Sequence, residues 1–99
     1  MTHHAVLTVW TLDNHNFDPV ERDKLLTEEV VPRVSSLPGF VEGRWNRSSD
    51  GARAYNTVVF DDQAAAERFV EYVRGDVPAA SAAGVLLHSL EILDVIGSA

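Results

Sequence analysis

Residues 37–45, Leu37-Pro38-Gly39-Phe40-Val41-Glu42-Gly43-Arg44-Trp45, decide the fold together with the polar turn and apolar run that follow them. Pro38-Gly39 cannot continue a helix, so the helical segment before it ends there. Residues 40–47 and 52–60 are rich in β-branched and aromatic side chains and predict two strands. Residues 48–51 end in Asp-Gly, which is typical of a tight hairpin turn between them.

The residues before this hairpin predict one strand and one helix. Residues 4–12 contain neither Gly nor Pro, and both of their alternating sets are largely apolar, which favours a central strand. Asp18-Pro19 is a typical helix start, and the apolar spacing predicts a helix from about 19 to 36. Pro32 lies inside it and predicts a kink or break, because proline lacks the N–H of a helix hydrogen bond.

After the hairpin we predict a second helix and a fourth strand. Asp61 or Asp62 caps the helix, Gly75 closes it, residues 76–84 form a loop and residues 85–96 form the strand. The order β-α-β-β-α-β indicates a single α+β domain over residues 1–99 of ferredoxin-like type. Its sheet is antiparallel, with strands 1 and 3 central and two helices on one face.

Alternation along the strands predicts which side chains face the helices. We assign Ala5, Leu7 and Val9 to the face beneath the helices, and Thr8, Trp10 and Leu12 to the open face. For the third strand, residues 54, 56, 58 and 60 are assigned to the helix side. The apolar open face predicts a two-fold homodimer, because water is a poor environment for such a surface.

Composition argues against several classes of function. The formal net charge is −7, with 8 Lys and Arg against 15 Asp and Glu, which disfavours nucleic-acid binding. The chain has no cysteine, so disulfides, thiolate catalysis and Cys-based metal sites are excluded. No apolar run approaches the roughly 20 residues of a membrane span, and no signal peptide is visible. We therefore expect a cytoplasmic protein with no membrane partner.

Several segments carry a resemblance to a known superfamily. Leu37-Pro38-Gly39-Phe40 with Arg44-Trp45, then Val58-Val59-Phe60-Asp61-Asp62 with Ala65-Ala66-Glu67-Arg68-Phe69, resembles the dimeric α+β barrel superfamily, and most closely its antibiotic biosynthesis monooxygenase-like domains. The resemblance implies a dimer barrel with a pocket and a cofactor-independent monooxygenase of small quinol- or polyketide-like aromatics. The haem-degrading relatives carry an Asn on the first strand and a His on the second helix, and this chain has neither.

Such an enzyme must bind an electron-rich aromatic, remove an acidic proton and stabilise the resulting anion. The candidate catalytic residues are His88, Arg44 and Tyr55, and the candidate substrate-binding residues are Trp10, Asn46, Thr57 and Leu12. We expect no metal, because the histidines have no carboxylates at ligand spacing. The resemblance to cofactor-independent monooxygenases implies that no cofactor is needed.

Two other functions fit the same sequence. One is a non-catalytic module that binds a small ligand or supports assembly, in which the aromatic residues only fill the barrel. The other is an isomerase-like or lactone-processing enzyme on the same scaffold. Convergence of His88, Arg44 or Tyr55 with Trp10 on one cavity would favour the enzymes.

Overall fold

The computed structural model describes residues 2–99, which form an antiparallel sheet and a helical layer on one of its faces. The strands are β1 (His4–Leu12), β2 (Phe40–Arg47), β3 (Arg53–Phe60) and β4 (Val85–Asp94). The helices are α1 (Pro19–Leu25), α2 (Val31–Ser35) and α3 (Gln63–Ala82). The strand order is β2-β3-β1-β4, so the predicted α+β, ferredoxin-like arrangement is confirmed.

The first helical segment bends where the sequence predicts it. Asp18 caps α1 by accepting a hydrogen bond from the Val20 N–H at 2.9 Å. A π-helical segment, Leu26–Val30, then joins α1 to α2 just before Pro32. Pro32 offers no N–H to the carbonyl of Glu28, and its ring would clash with that carbonyl in a regular α-turn. The wider π-turn relieves this conflict, so the predicted irregularity is confirmed.

The predicted end of the second helix is wrong. Helix α3 continues through Gly75 and Pro78 to Ala82, where a loop was expected. Alanine is the strongest helix former, and the alanines after Pro78 sustain the helix although the proline removes one hydrogen bond. The helix stops instead at Gly84, which has a φ of 78° and donates its N–H to the Ser81 carbonyl at 3.0 Å. Strand β4 also ends at Asp94, two residues earlier than expected.

The predicted faces of β1 are also wrong, by one residue. Val6 stands opposite Val58 and Trp10 opposite Ala54, and Val58 belongs to the core beneath the helices. Thr8, Trp10 and Leu12 therefore face the helices, and Ala5, Leu7 and Val9 face the open side. Both sets are apolar enough for either face, so alternation alone could not decide between them. The helix-side assignment of β3 was right.

The core joins the middle of the sheet to α3. Phe60, Val6 and Val58 are fully buried, and the Phe60 and Phe69 rings lie 5.2 Å apart. In contrast, neither α1 nor the π-helical segment contains a buried residue. In the first helical layer, residues 19–35, the α1 and π-helical parts therefore stand away from the sheet and leave a space beneath them, whereas Val34 of α2 joins the core.

Substitution of two glycines in the α3 region should change the free energy of unfolding in opposite directions. Gly84→Ala should lower the free energy of unfolding by more than about 1 kcal/mol, because a side chain at positive φ is strained and its Cβ would meet the Phe17 ring. Gly75→Ala should raise it by roughly 0.5–1 kcal/mol, since it lies inside α3 with open space around it. Urea denaturation measures both, and a Gly84→Ala variant as stable as the wild type would contradict the assigned cap.

Candidate functional site

A cavity of about 970 Å³ lies between the sheet and the helices. The floor is the helix-facing side of the sheet, one wall is the first helical layer, and the other wall is α3. This volume is at the upper end of the roughly 300–1,000 Å³ typical of small-molecule pockets.

Two cross-strand rows form the floor. The first row runs Trp45, Asn56 and Thr8 across the sheet, and the second runs Arg47, Ala54 and Trp10. The chain has two tryptophans, and both line the cavity. The floor therefore places a central polar pair, Thr8 and Asn56, between aromatic side chains.

Thr8 and Asn56 each keep an unused hydrogen-bond donor. The indole Nε1–H of Trp10 donates to the buried Thr8 Oγ1 at 2.9 Å, which leaves the hydroxyl proton of Thr8 without an acceptor among residues 2–99. The backbone N–H of Asn46 donates to the Asn56 Oδ1 at 3.3 Å, so the Asn56 Nδ2 is the donor end of that amide. No acceptor for this amide group occurs in the described chain. The pair therefore offers two hydrogen-bond donors to a ligand.

Three arginines lie at the mouth of the cavity. Arg47 of β2 contacts both carboxylate oxygens of Asp23 on α1 at 2.6 Å, and this contact raises the pKa of Arg47. Arg22 donates to the Asp13 carbonyl oxygen at 3.2 Å and to the Asn14 Oδ1. These contacts hold α1 over the floor from both of its sides.

Arg33, on α2, is the third of these arginines. The pKa of Arg33 is raised first by a polar contact with the Tyr72 hydroxyl of α3 and also by the nearby charges of Glu29 and Asp76. The Tyr72 ring stacks on Phe69 with centroids 5.8 Å apart and planes 16° apart. Arg33 and Tyr72 thus both line the cavity, one from α2 and the other from α3.

Comparisons with known proteins give structural relatives only. No protein-family model matches the chain, and no curated protein sequence matches it. A solved structure from Chloroflexus aurantiacus, named as an antibiotic biosynthesis monooxygenase, superposes with a TM-score of 0.67 at 15% identity over 98% of this chain and 96% of its own. A monooxygenase from the gene ActVA-Orf6 of Streptomyces coelicolor, solved with the ligand nanaomycin D, gives 0.61 at 18% identity over 99% and 89%.

The chain has the fold of the antibiotic biosynthesis monooxygenase-like proteins. At these identities the likeness concerns the fold alone, so the chemistry must be argued from the cavity of this chain.

In this monooxygenase-like fold the seven residues singled out from sequence are divided between the two faces of the sheet. Trp10 and Leu12 line the cavity from the floor, and Asn46 lines its edge. Arg44, Tyr55 and Thr57 lie on the open face, where Arg44 stands opposite Thr57. His88 is exposed at a bulge of β4, between the pairs Val9–Ser89 and Trp10–Leu87. None of these four lines the cavity, and their functional roles stay predictions.

Several cavity residues escaped the sequence analysis, namely Thr8, Asn56, Trp45, Tyr72 and Arg33. Thr8 and Asn56 were assigned to opposite faces, so their pairing was invisible without the register. One signal was available in the sequence. Asn56 is the polar member of an alternating set that otherwise consists of Ala54, Val58 and Phe60, and such a polar position in a core face favours a site.

Two other kinds of feature do not occur in the part of the chain that the structure describes. Residues 2–99 contain no cluster of three or more His, Asp or Glu side chains placed to bind a metal ion. Nor does any helix within them combine the length and apolar composition that crossing a membrane requires.

The buried Thr8–Trp10 hydrogen bond should stabilise the fold. Thr8→Val keeps the shape but leaves the indole N–H without an acceptor, which should cost about 1–3 kcal/mol of unfolding free energy. The cost should shrink in a Trp10→Phe background, where the donor is already gone. Thermal unfolding of the wild type, both single variants and the double variant completes the cycle, and additive effects would contradict the interaction.

Proposed function

We propose that the protein is a cofactor-independent monooxygenase of hydroxylated polycyclic aromatics, such as anthrones and quinols, and that it acts in the cavity described above. The observation that carries the proposal is the Thr8–Asn56 pair, two unused donors between Trp10 and Trp45 on the cavity floor. The monooxygenase-like fold supports it at the level of class.

The cavity suits a flat aromatic ligand with oxygen substituents. Trp10, Trp45 and Phe69 supply aromatic and apolar surface on the sheet and on α3. Pockets of this kind bind an apolar body and use a few polar groups to orient it. The ligand of the Streptomyces relative, nanaomycin D, is a precedent for a small-molecule site on this fold.

The reaction balances with molecular oxygen as the only co-substrate. An anthrone loses a proton from its methylene carbon, and the resulting anion places negative charge on the carbonyl oxygen across the same ring. The carbon is oxidised by O₂, forms a C–O bond and becomes a hydroperoxide after taking up a proton. Loss of water then breaks the O–O bond and the remaining C–H bond, which gives the quinone carbonyl. One oxygen atom enters the product and the other leaves as water.

Thr8 and Asn56 would stabilise the anion formed in the first step. Their donors are fixed by the sheet before the substrate binds, so no reorganisation is needed when charge develops on its oxygen. The Thr8 hydroxyl oxygen accepts a hydrogen bond from the Trp10 N–H, which polarises the hydroxyl and makes it a better donor. We assign the proton transfer to Glu29 or Asp76, which line the cavity and, unlike Asp23, make no ion pair among residues 2–99.

Oxygen consumption with dithranol, a dihydroxyanthrone, tests this proposal. Wild-type protein should consume oxygen and form the quinone faster than the uncatalysed reaction. Asn56→Leu should lower kcat by roughly 10²–10³, the effect of losing one oxyanion donor. Glu67→Gln, on the exposed face of α3, is the matched control and should leave kcat unchanged. A wild-type rate equal to the background would refute the monooxygenase.

His88→Ala belongs in the same assay, because His88 was the base predicted from sequence. A large loss of kcat would assign a role to a residue outside the cavity. An unchanged kcat would leave the proton transfer to cavity residues. Tight binding of the quinone without oxygen consumption would instead favour the ligand-binding module.

We also propose that two copies pair through the open face of the sheet. Ala5, Val9 and Val59 lie at its centre, and the exposed side chains of Leu86, Leu93 and Tyr55 surround them. An apolar surface of this kind, on a regular sheet, suits a self-complementary two-fold contact.

Sedimentation velocity tests the dimer directly. The wild type should sediment as a dimer at micromolar concentration, and Leu86→Glu should sediment as a folded monomer, because a charge would be buried in the contact. Leu86 is 50% exposed in the single chain, so the fold of the single chain should tolerate the substitution. Val20→Glu, at a 73% exposed position of α1, should remain a dimer. A monomeric wild type would refute the pairing.

A further inference from the structure

The three arginines at the cavity mouth differ in how the fold uses them. Arg47 is paired with the Asp23 carboxylate, and Arg22 is held by the Asp13 carbonyl and the Asn14 side chain. Arg33 makes neither kind of contact. Among residues 2–99, no carboxylate lies within 4.0 Å of its guanidinium nitrogens.

The surroundings of Arg33 are those of a binding group more than of a structural one. It lines the cavity with Tyr72, whose ring is held by stacking on Phe69. Glu29 and Asp76 line the same cavity and act on Arg33 from a distance without neutralising it in an ion pair. A guanidinium with free N–H groups beside a hydroxyl can bind a carboxylate, because both groups donate hydrogen bonds and the carboxylate oxygens accept them.

We propose that Arg33 and the Tyr72 hydroxyl bind a carboxylate group of the ligand, so that the cavity prefers aromatic carboxylic acids to neutral aromatics of the same shape. The inference rests on the proposed function, because it assumes an aromatic ligand on the Trp10–Trp45 floor. Thr8 and Asn56 would bind an oxygen substituent of the ring system, and Arg33 would bind its carboxylate substituent. Two separate polar contacts would fix the position of the ring system within the cavity.

A matched pair of ligands isolates the carboxylate. Rhein is a dihydroxyanthraquinone carboxylic acid, and aloe-emodin is the corresponding primary alcohol, so the two share one ring system. Both are already oxidised, and their binding is therefore measured without turnover. Both tryptophans of the chain line the cavity, so quenching of intrinsic fluorescence reports the Kd of each.

The wild type should bind rhein roughly tenfold or more tightly than aloe-emodin, as a hydrogen bond between charged groups provides. Arg33→Gln should bring the two Kd values together by weakening rhein alone. Asp76→Asn should widen the preference, because it removes a negative charge that competes for Arg33. Arg74→Gln is the control, since Arg74 is exposed as Arg33 is, but pairs with Glu71 and is not in the cavity lining.

The outcomes separate this inference from the proposed function. Equal affinity for the acid and the alcohol in the wild type would overturn the carboxylate site, and dithranol oxidation would still stand. Equal weakening of both ligands by Arg33→Gln would also overturn it, because Arg33 would then act only on the shape of the cavity. Quenching by neither ligand would overturn the aromatic cavity and the carboxylate site together.

Discussion

The register between β1 and β3 is the constraint on which the rest of the structure depends. It sets Thr8 opposite Asn56 and Trp10 opposite Ala54, and so places a polar pair and a tryptophan beneath the helices. A slip of one residue would turn these side chains to the open face and bring Leu7 and Val9 under the helices. Burying Thr8 costs free energy unless its polar atoms are satisfied, and the Trp10 indole satisfies one of them. The remaining donors are what a ligand would use.

The first helical layer turns this floor into a cavity. Because α1 and the π-helical segment bury no residue against the sheet, they cover the floor without filling the space. Their attachment relies on exposed contacts such as Arg47–Asp23, and an exposed ion pair contributes only about 0–1 kcal/mol. Helix α1 is therefore the most weakly held wall of the cavity. Pro32 and the π-turn lie where this wall joins α2, so the proline that interrupts the regular helix also marks the end of this wall.

Sequence reasoning reached the fold but, of the residues that line the cavity, singled out only Trp10, Leu12 and Asn46, and the reason is physical. The residues of strands and turns are recognisable from the local sequence, so β2, the Asp-Gly turn and the strand order were predictable. The choice between Gly75 and Gly84 as the helix end was not local, because it depends on the stability of the alanine-rich turn after Pro78. The site was even harder to predict from the sequence. Thr8, Asn56 and Tyr72 come from three elements, and only the register and the packing of α3 bring them to one cavity.

The two apolar sets of β1 reflect two demands on one strand. Its even-numbered residues line the core and the cavity floor, and its odd-numbered residues lie at the centre of the open face. A strand that served only one of these surfaces would alternate apolar and polar residues, and its faces could be read from sequence. Both alternating sets of β1 are apolar, which made the face assignment ambiguous. The same property is an argument for a partner on the open face. Arg44, Tyr55 and Thr57, predicted from the resemblance to act in the pocket, lie on that same open face, on the side of the sheet away from the cavity.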